Sequence, residues 1–558
     1  MLKYFLLVLI VFFSLSILIA EGWAIQTTSD EFSDRMRARI QALRLKNHFI
    51  CQRELVCGVS VIPIFYGKRE FNPAWCGKDG VSSQADDLLT MIQGSDREGL
   101  IPSDYHLMRL KALITKVRQK QSNNQPLDIE LLVDLDLLLT DAFLLLASHL
   151  LAGRVNPETI HTEWMVVNPK IDLAAALESA LNTNSVSAVL EVLRPPQAGY
   201  QALRDKLQRY RYIAKEGGWP VLPTKTSWRK DDHGARFYLL RKRLELSGDL
   251  DPTKPGYVYM FDEVLEIAIR KFKARHGLNP DGIIDARTLA ALNVPVEERV
   301  RQIELNLERW RWIPHELGQR YIMVNIADFK LNVVEDRQTV MESRVVVGKD
   351  YRKTPVFSKN MTHLVLNPYW NIPTKIAVED ILPKVKRNPR YLIRRNIKVF
   401  ESWEEGAPEL DPLSIDWSKV DENNFSFKFR REPGPRNDLG RIKFMLPNKF
   451  AVYLHDTPYR GLFRKPSRVF SSGCIRVEKS TDLAVYLIRD DPQLSRQDIL
   501  ETLKTTERQV IRLQNPIPVH LLYWTAWVGQ DGLLHFREDV YERDKPLDVA
   551  LRERPPKV

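Results

Sequence analysis

The chain has 558 residues, of which 44% are hydrophobic and 27% are charged. That length and balance predict a multi-domain globular protein with about three or four domains. The formal net charge of +11 favours a polyanionic partner, such as nucleic acid, anionic lipid or an acidic cell-wall polymer. Nucleic acid is disfavoured, because the sequence has no basic helix with base-reading residues and no glycine-rich phosphate loop.

The N-terminal 24 residues place an early Lys3 before an apolar run over residues 4–20, and small residues follow at Gly22 and Ala24. This pattern is typical of a secretory signal that is cleaved after Ala24. The same run is long enough to remain as an uncleaved membrane anchor. Both alternatives predict an exported protein that meets the membrane only through this segment.

The four cysteines are Cys51, Cys57, Cys76 and Cys474. In an exported chain, the three near the N-terminus predict one disulfide among them, and the sequence leaves the pairing open. Their spacing is not a usual zinc pattern, and HExxH is absent, so we expect no metal site and no cofactor. Cys474 is isolated and is a small core residue, half of a disulfide or a nucleophile.

Residues 30–215 have mainly helical patterns. The stretch 128–153 is rich in apolar residues and predicts a long helix with Gly153 as its C-cap. We assign residues 25–230 to a helical scaffold domain, which a helix at 297–314 completes.

Residues 233–293 predict a compact helical module. The stretch "DEVLEIAIRKFKARHGL" places apolar residues on one helical face, and a turn at Asp281-Gly282 precedes a short helix from about Ala286. The apolar residues on that face are Val264, Leu265, Ala268, Ile269 and Phe272.

From residue 320 onwards, apolar and polar residues alternate, which predicts strands. Further strands are predicted at 363–367, 442–446 and 450–455, and a hairpin at 518–539. A long basic connection at about 384–441 contains two tryptophans. Connections of this length often act as lids over a site, and the alternative is a solvated insertion.

Cys474 lies in the stretch "SRVFSSGCIRVEKS". A cysteine nucleophile needs a base that forms the thiolate and backbone N–H groups that bind the developing oxyanion. Gly473 allows the backbone around Cys474 to present such amides. His455 ends the apolar stretch "FAVYLHDTP" and is the candidate base, and Tyr453 lies two residues earlier on the same strand face.

The stretch "YLHDTPYRGLFRKPSRVFSSGCIRV" resembles the signature of YkuD-type L,D-transpeptidases, through His455, Ser472, Gly473, Cys474 and Arg476. Ser472 stands where many members have a second histidine, as in the large YcbB-like class. Stretches such as "LERWRWIP", "VGKDYRKTPVF" and "LNPYWNIPTKIAVEDILPK" extend the resemblance over nearly the whole mature chain. "FKARHGLNPDGIIDARTLAALN" resembles the peptidoglycan-binding type 1 domain.

The resemblance implies a multi-domain α+β fold. We expect a helical scaffold domain, a small helical peptidoglycan-binding module at 233–293, and a mainly β catalytic domain at 318–490. The catalytic domain would be a YkuD-type β-sandwich with the connection at about 384–441 as its lid. A C-terminal helix and β-hairpin extension would follow at 491–558.

The resemblance also implies the chemistry. Cys474 would attack the carbonyl between diaminopimelate and the terminal D-alanine of a tetrapeptide stem, and the resulting thioester would pass to an amine of a second stem, giving a 3→3 cross-link. His455 would act as general base and acid, oriented by the backbone of Asp456, and the amides of Gly473 and Cys474 would form the oxyanion hole. The substrate-binding residues would be Tyr453, Ser472, Arg476, Trp370 and Asn371. Arg476 either orients a stem carboxylate or pairs structurally.

The implied partner is peptidoglycan, through both its stem peptides and its glycan strands, together with other cell-wall synthesis enzymes. We therefore expect a periplasmic role in peptidoglycan biosynthesis and cell shape. Three alternatives stay open. The same acyl chemistry could use water or a lipoprotein lysine as acceptor, the chain could be a non-catalytic wall-binding scaffold with an inert Cys474, or it could be a cysteine protease.

Overall fold

The computed structural model describes residues 30–44, 49–77, 80–165, 171–226, 228–253 and 256–553. The predicted signal or anchor at residues 1–24 lies outside these ranges. Among the residues that the structure describes, no helix has both the length and the apolar character needed to cross a membrane.

The N-terminal part is organised around one long helix, Ile129–Ala152. It begins where the Asp128 side chain accepts a hydrogen bond from the Glu130 N–H (3.1 Å), and it ends at Gly153, which confirms the predicted C-cap. Nearly every side chain of this helix is buried, because it is apolar on all faces and other helices cover it. The other helices of this part span residues 30–44, Ile62–Lys68, Ser83–Gln93, Leu107–Ser122, Pro157–Ile160, Leu173–Asn182, Val186–Val192 and Ala198–Lys215.

Two small antiparallel strand pairs contain Cys51 and Cys76, and Cys57 directly follows one of these strands. Phe49–Cys51 pairs with Glu54–Val56, and Cys76–Gly77 pairs with Gly80–Val81. The cysteines are buried free thiols, so the disulfide predicted among them is not formed. Each cysteine is hydrogen-bonded to a different residue of the long helix. The Cys51 thiol donates to the Asp134 carbonyl, and the backbone N–H groups of Cys57 and Cys76 donate to the carboxylates of Asp141 and Asp136.

The module around residues 233–293 consists of the helices Ala235–Ser247, Glu263–Arg275 and Ala286–Leu292, which enclose their own core. Asp262 and Asp285 cap the second and third helices by accepting backbone N–H groups. The predicted apolar face is confirmed, since Leu265, Ala268, Ile269 and Phe272 are buried and Val264 is partly buried.

The helix Val296–Trp310 follows the module and packs against the helix Ala198–Lys215. It ends at Trp310, earlier than the predicted end at residue 314. Pro314 disfavours helical backbone in the residue before it, which is consistent with an end some residues upstream.

The C-terminal part contains a nine-stranded sheet. Its strands are β1 Arg320–Asn325, β2 Lys330–Glu335, β3 Gln338–Gly348, β4 Phe357–Leu366, β5 Ile442–Met445, β6 Leu454–His455, β7 Val469–Ser471, β8 Ile475–Val477 and β9 Gln509–Leu522. The strand order is β7-β3-β8-β6-β5-β4-β9-β1-β2, and β2 also pairs with β3. The sheet therefore closes on itself in a barrel-like arrangement around an apolar core.

Strand β9 lies inside this sheet, antiparallel to β4 and parallel to β1. The expected extension at 491–558 therefore supplies an interior strand of the catalytic sheet. The hairpin predicted at 518–539 is shorter and pairs Ala526–Val528 with Leu534–Phe536. Residues 519–522, which include His520, are all buried, as expected for a strand that is covered on both faces. The remaining helices are Ser480–Ile488, Arg496–Lys504 and Asp544–Arg552.

Residues 370–431, hereafter the insertion, form a unit with its own core around Trp417 and Phe429. Its four strands lie in the order Glu409–Leu410, Ile397–Phe400, Lys428–Arg431 and Trp370–Ile372. Its helical segments are Thr374–Ile376, Ala377–Ile381, Leu382–Arg387, Arg390–Arg394 and Trp417–Lys419. This unit begins upstream of the basic stretch that starts at residue 384, because Trp370–Ile372 supplies one of its strands.

Candidate active site

Cys474 lies in the tight connection between β7 and β8. Gly473 has a φ of +112°, a backbone conformation that a residue with a Cβ rarely adopts. The Ser471 hydroxyl accepts a hydrogen bond from the Gly473 N–H (3.1 Å) and donates one to the Cys474 carbonyl. Ser471 thus fixes the backbone on both sides of the glycine and holds Cys474 in place.

The register of β6 and β8 brings the motif residues onto one face. These strands are parallel, with Leu454 opposite Ile475 and His455 opposite Arg476. Leu454 and Ile475 are fully buried in the core of the sheet. Because successive side chains of a strand point to opposite faces, the outer face presents Tyr453, His455, Cys474 and Arg476.

His455 is a buried, neutral imidazole. Its Nδ1 lies 2.5 Å from the backbone oxygen of Asp456, and since a carbonyl only accepts, this contact places the ring proton on Nδ1. Burial, aided by the positive charge of Arg476, lowers the pKa of His455 to about 3. The Asp456 carboxylate is used elsewhere, accepting hydrogen bonds from the Arg441 N–H (2.9 Å) and the Ser480 hydroxyl (2.8 Å).

A second cation flanks His455 on the neighbouring strand. β5 is antiparallel to β6, and Lys443 stands opposite His455 in the register. The imidazole therefore lies between Arg476 on one strand and Lys443 on the other. Sequence reasoning missed Lys443, because only the pairing of β5 with β6 brings it to this face.

Tyr453 precedes the β6 residues that pair with β8 and lies beside His455, with ring centroids 5.8 Å apart. Its backbone and its side chain both act to lower the pKa of the Cys474 thiol. Desolvation raises the pKa of the Cys474 thiol, while the hydrogen bonds from Tyr453 and the charges of Lys443 and Arg476 oppose that rise. The site thus disfavours thiolate through burial and favours it through hydrogen bonds and positive charge.

A cavity of about 640 Å³ opens over this face. The catalytic sheet and its loops supply one wall, with Tyr453, His455, Ser472, Gly473, Cys474 and Arg476. The insertion supplies the facing wall, which includes Trp370, Asp380, Lys384, Tyr391 and Arg395. Asn371 is exposed on the other side of its strand, opposite Arg430 in the register, so the two adjacent residues predicted to bind substrate point different ways.

Arg352 connects the motif loop to the insertion. Its guanidinium donates a hydrogen bond of 2.9 Å to the Ser472 hydroxyl and two to the Asp380 carboxylate, at 2.5 and 3.1 Å. It also forms an ion pair with Glu379. Sequence reasoning missed this residue as well, since neither carboxylate is near Arg352 in the chain.

Arg476 faces the cavity without a carboxylate within ion-pair distance among the residues that the structure describes. Its guanidinium carbon lies 5.7 Å from the centroid of the Tyr459 ring. Burial lowers the pKa of Arg476, and the nearby charge of Asp438 only partly offsets this. A partly desolvated guanidinium of this kind can receive an anionic group of a ligand.

Of the two backbone amides predicted to form an oxyanion hole, one already has a hydrogen-bond acceptor. The Gly473 N–H is directed at the Ser471 hydroxyl. Gly473 can therefore donate to a substrate oxygen only after it exchanges that hydrogen bond, whereas the Cys474 N–H has no hydrogen-bond acceptor within the described residues.

Three ranges of the chain match models of known protein families. Residues 319–492 match the family model of the "L,D-transpeptidase catalytic domain". Residues 234–292 match a "Putative peptidoglycan binding domain" and residues 60–207 a "Scaffold domain". A Haemophilus influenzae protein named "Putative L,D-transpeptidase" is 38% identical over 252 residues, which are 45% of this chain and 49% of that protein. The alignment thus spans about half the length of this curated relative.

Two solved structures are also similar. They are an L,D-transpeptidase from Stackebrandtia nassauensis, at 13% identity and a TM-score of 0.21, and one from Xylanimonas cellulosilytica, at 12% identity and a TM-score of 0.15. Each match covers 54% of this chain, and 97% and 98% of the respective structures. TM-scores this low give the likeness no weight for the fold or the activity of this chain.

Proposed function

We propose that this chain, which contains an L,D-transpeptidase catalytic domain, forms 3→3 cross-links between peptidoglycan stem peptides through a thioester on Cys474. One observation supports this most strongly. The register of β6 and β8 gathers a thiol, a neutral imidazole, a phenol and an unpaired guanidinium on one face of a sheet, inside one cavity. Acyl transfer through a cysteine needs a nucleophile, a base and a group that positions an anionic substrate.

The first step is formation of the thiolate. His455 is neutral at physiological pH and can accept the thiol proton on its unprotonated nitrogen. The hydrogen bond from Tyr453 and the charges of Lys443 and Arg476 favour the anionic sulfur. The proton transfer thus moves positive charge onto His455 while the sulfur becomes negative.

Acylation follows on the donor stem. The sulfur of Cys474 attacks the carbonyl carbon that joins the third residue, a diaminopimelate, to the terminal D-alanine. The bond from this carbon to the D-alanine nitrogen then breaks, and the protonated His455 gives its proton to the leaving amine. A thioester remains on Cys474, and free D-alanine departs.

Deacylation forms the cross-link. The side-chain amine of diaminopimelate in a second stem attacks the thioester carbon, and the carbon–sulfur bond breaks. His455 takes a proton from the attacking amine, and the cysteine thiolate takes it up again. The product is an amide between two third residues, and the enzyme returns to its starting state.

The remaining predicted residues have positioning roles in this proposal. Arg476 binds a stem carboxylate, because it is unpaired and faces the cavity. Trp370 and the basic side chains of the insertion wall contact the donor stem. In this proposal the module at 234–292 holds the chain on the glycan strands of the sacculus, and its match to a peptidoglycan-binding domain supports a periplasmic role.

The proposal is tested with the full chain and a purified disaccharide-tetrapeptide. Tandem mass spectrometry should locate a new amide between two diaminopimelate residues, and Cys474→Ala should form none. Release of D-alanine with only the tripeptide product would identify water as the acceptor. Transfer to an added lysine-terminated lipoprotein peptide in preference to a second stem would identify that acceptor. Either result would contradict the cross-linking proposal.

A further inference from the structure

Lys443 occupies an unusual position for a lysine. It lies on β5 opposite His455, and its Nζ is 3.9 Å from the centroid of the Tyr453 ring. In the described part of the chain, no carboxylate lies within ion-pair distance of this ammonium group. Its chain neighbours Ile442 and Phe444 are fully buried in the core, so Lys443 is fixed on the outer face that presents Cys474.

We propose that Lys443 is a positioning residue of the active site, which holds the Tyr453 ring beside Cys474 and supplies positive charge that favours the thiolate. The proposal rests on the proposed function in one respect only, namely that Cys474 is the reacting thiol.

The first part of the argument is geometric. An ammonium group this close to a ring face is attracted by the electron density of the ring, and the attraction strengthens when solvent is excluded. Tyr453 is held by its backbone as well, since its carbonyl accepts a hydrogen bond from the Ile475 N–H (3.1 Å). The ring is therefore held between Lys443 and the strand that follows Cys474.

The second part is electrostatic. The charge of Lys443 lowers the pKa of the Cys474 thiol, and reciprocally the sulfur favours the charged form of Lys443. Burial nevertheless lowers the pKa of Lys443, and the neighbouring charge of Arg508 adds to this effect. The Lys443 ammonium group thus has no negative partner until the Cys474 thiolate forms. It therefore stabilises the thiolate form of the site more than the thiol form.

The other charged groups near Cys474 and Lys443 also favour the thiolate. Arg476 faces Cys474 from its own strand and also lowers the thiol pKa. On the neighbouring strand β4, burial and the charges of Arg512, Lys443 and Arg508 lower the pKa of His363. The largest influences on the pKa of Cys474 and of Lys443 include no acidic side chain among the described residues.

A purely structural role for Lys443 makes a different prediction. Removing an ammonium group that is partly desolvated and has no carboxylate partner relieves a desolvation cost, so a methionine of similar length should fold at least as well. Stability and thiol reactivity are therefore expected to change in opposite directions in Lys443→Met. Lys443→Arg retains the charge and is the matched control.

The experiment measures the rate at which iodoacetamide alkylates Cys474 in the full chain as a function of pH. The mass of the peptide that contains Cys474 separates it from the buried Cys51, Cys57 and Cys76. We expect Lys443→Met to raise the apparent thiol pKa by about one unit, in the range of an effect from one nearby charge, and Lys443→Arg to stay near the wild type. Melting curves establish that each variant is folded, and Lys443→Gln is a second neutral variant.

The coupling to the tyrosine is tested with Tyr453→Phe. If Lys443 acts partly through the hydroxyl, the shift in the double variant will be smaller than the sum of the two single shifts. An unchanged thiol pKa in folded Lys443→Met, or an equal shift in Lys443→Arg, would overturn the proposal. Because alkylation needs no peptide substrate, this outcome is independent of whether the chain forms 3→3 cross-links.

Discussion

Arg352 and Ser472 are separated by 120 positions in the chain, yet the Arg352 guanidinium donates a 2.9 Å hydrogen bond to the Ser472 hydroxyl. The same guanidinium forms ion pairs with Glu379 and Asp380 of the insertion. Its side chain is only 7% exposed, whereas the two carboxylates are 46% and 40% exposed. One buried arginine therefore links the loop that holds Cys474 to the opposite wall of the cavity.

This link predicts that the insertion moves away from the Cys474 loop more readily when the Asp380 carboxylate is neutralised. Asp380→Asn should speed the reaction of Cys474 with a bulky maleimide several-fold, because the bidentate pair to Arg352 is lost. The matched control is Glu409→Gln, which breaks the exposed Lys398–Glu409 pair within the same insertion, 2.9 Å in length. Equal labelling rates in Asp380→Asn and the wild type would show that the pair does not restrain the insertion.

A second prediction concerns the backbone at Gly473. A Cβ there would have room, since the nearest atom is the Arg352 carbonyl oxygen at 3.9 Å, but the φ of +112° disfavours any other residue. Gly473→Ala should lower stability by about 1–2 kcal/mol and reduce acylation by more than that loss explains. Gly461→Ala is the control, because a Cβ at Gly461 would meet nothing within 4 Å. Unchanged acylation in Gly473→Ala would show that the loop geometry is not required.

The buried histidines of the scaffold predict how stability depends on pH. Burial, together with the charges of Arg154 and Arg311, lowers the pKa of His149 to about 3. Burial opposes protonation of His106, but hydrogen bonds to Asp141 and Glu54 outweigh it and raise the pKa of His106 to about 9. Stability from a neutral His149 is therefore lost as the pH falls from about 6.5 towards 3, and stability from a charged His106 is lost as it rises from about 6.5 through 9.

Urea unfolding across this pH range measures the free energy of unfolding, and with it the loss of stability at acid pH (the acid limb) and at alkaline pH (the alkaline limb). Each histidine contributes a slope of about 1.4 kcal/mol per pH unit inside its window. His149→Gln should flatten the acid limb and His106→Gln the alkaline limb, each relative to the wild type. Stability curves that run parallel to the wild type over the whole range would rule out these assignments.

The peptidoglycan-binding module gives a fourth prediction. It contacts the C-terminal hairpin, where the Arg275 guanidinium donates to the Leu534 carbonyl (3.0 Å) and His276 stacks on Phe536. Replacing residues 234–292 with a flexible linker should weaken binding to isolated sacculi more than it slows turnover of a soluble tetrapeptide. A Phe536→Ser change on the intact chain controls for loss of the hairpin contact. Equal losses of sacculus binding and turnover would indicate a structural role for the module.

Local sequence patterns predicted the helical elements well. The long helix, its Gly153 cap and the apolar face of the module follow from side-chain periodicity within one element. The helix ends at Trp310, upstream of Pro314, and the hairpin is shorter than predicted because residues up to Leu522 belong to the nine-stranded sheet. The prediction of an N-terminal disulfide was wrong, because each of the three cysteines is hydrogen-bonded to a different residue of the long helix.

Some residues of the candidate site can likewise be identified from local sequence patterns, and others cannot. Cys474 and His455 stand out in the sequence because each lies in a short stretch with a distinct chemical pattern. Lys443 and Arg352 do not, because their proximity arises from strand register and from a contact with the insertion. Trp370 and Asn371 looked equivalent as neighbours, and only the alternation along their strand separates the side chain that lines the cavity from the one that does not.

The central claim is that Cys474 forms an acyl-enzyme, and intact mass measurement tests it most directly. The full chain mixed with a disaccharide-tetrapeptide should gain the mass of the donor stem less D-alanine, and a peptide map should place it on Cys474. Cys474→Ala should show no adduct, and His455→Ala should form it about 10²–10⁴ times more slowly. An adduct that persists in Cys474→Ala, or cross-linking activity that survives this substitution, would contradict the account.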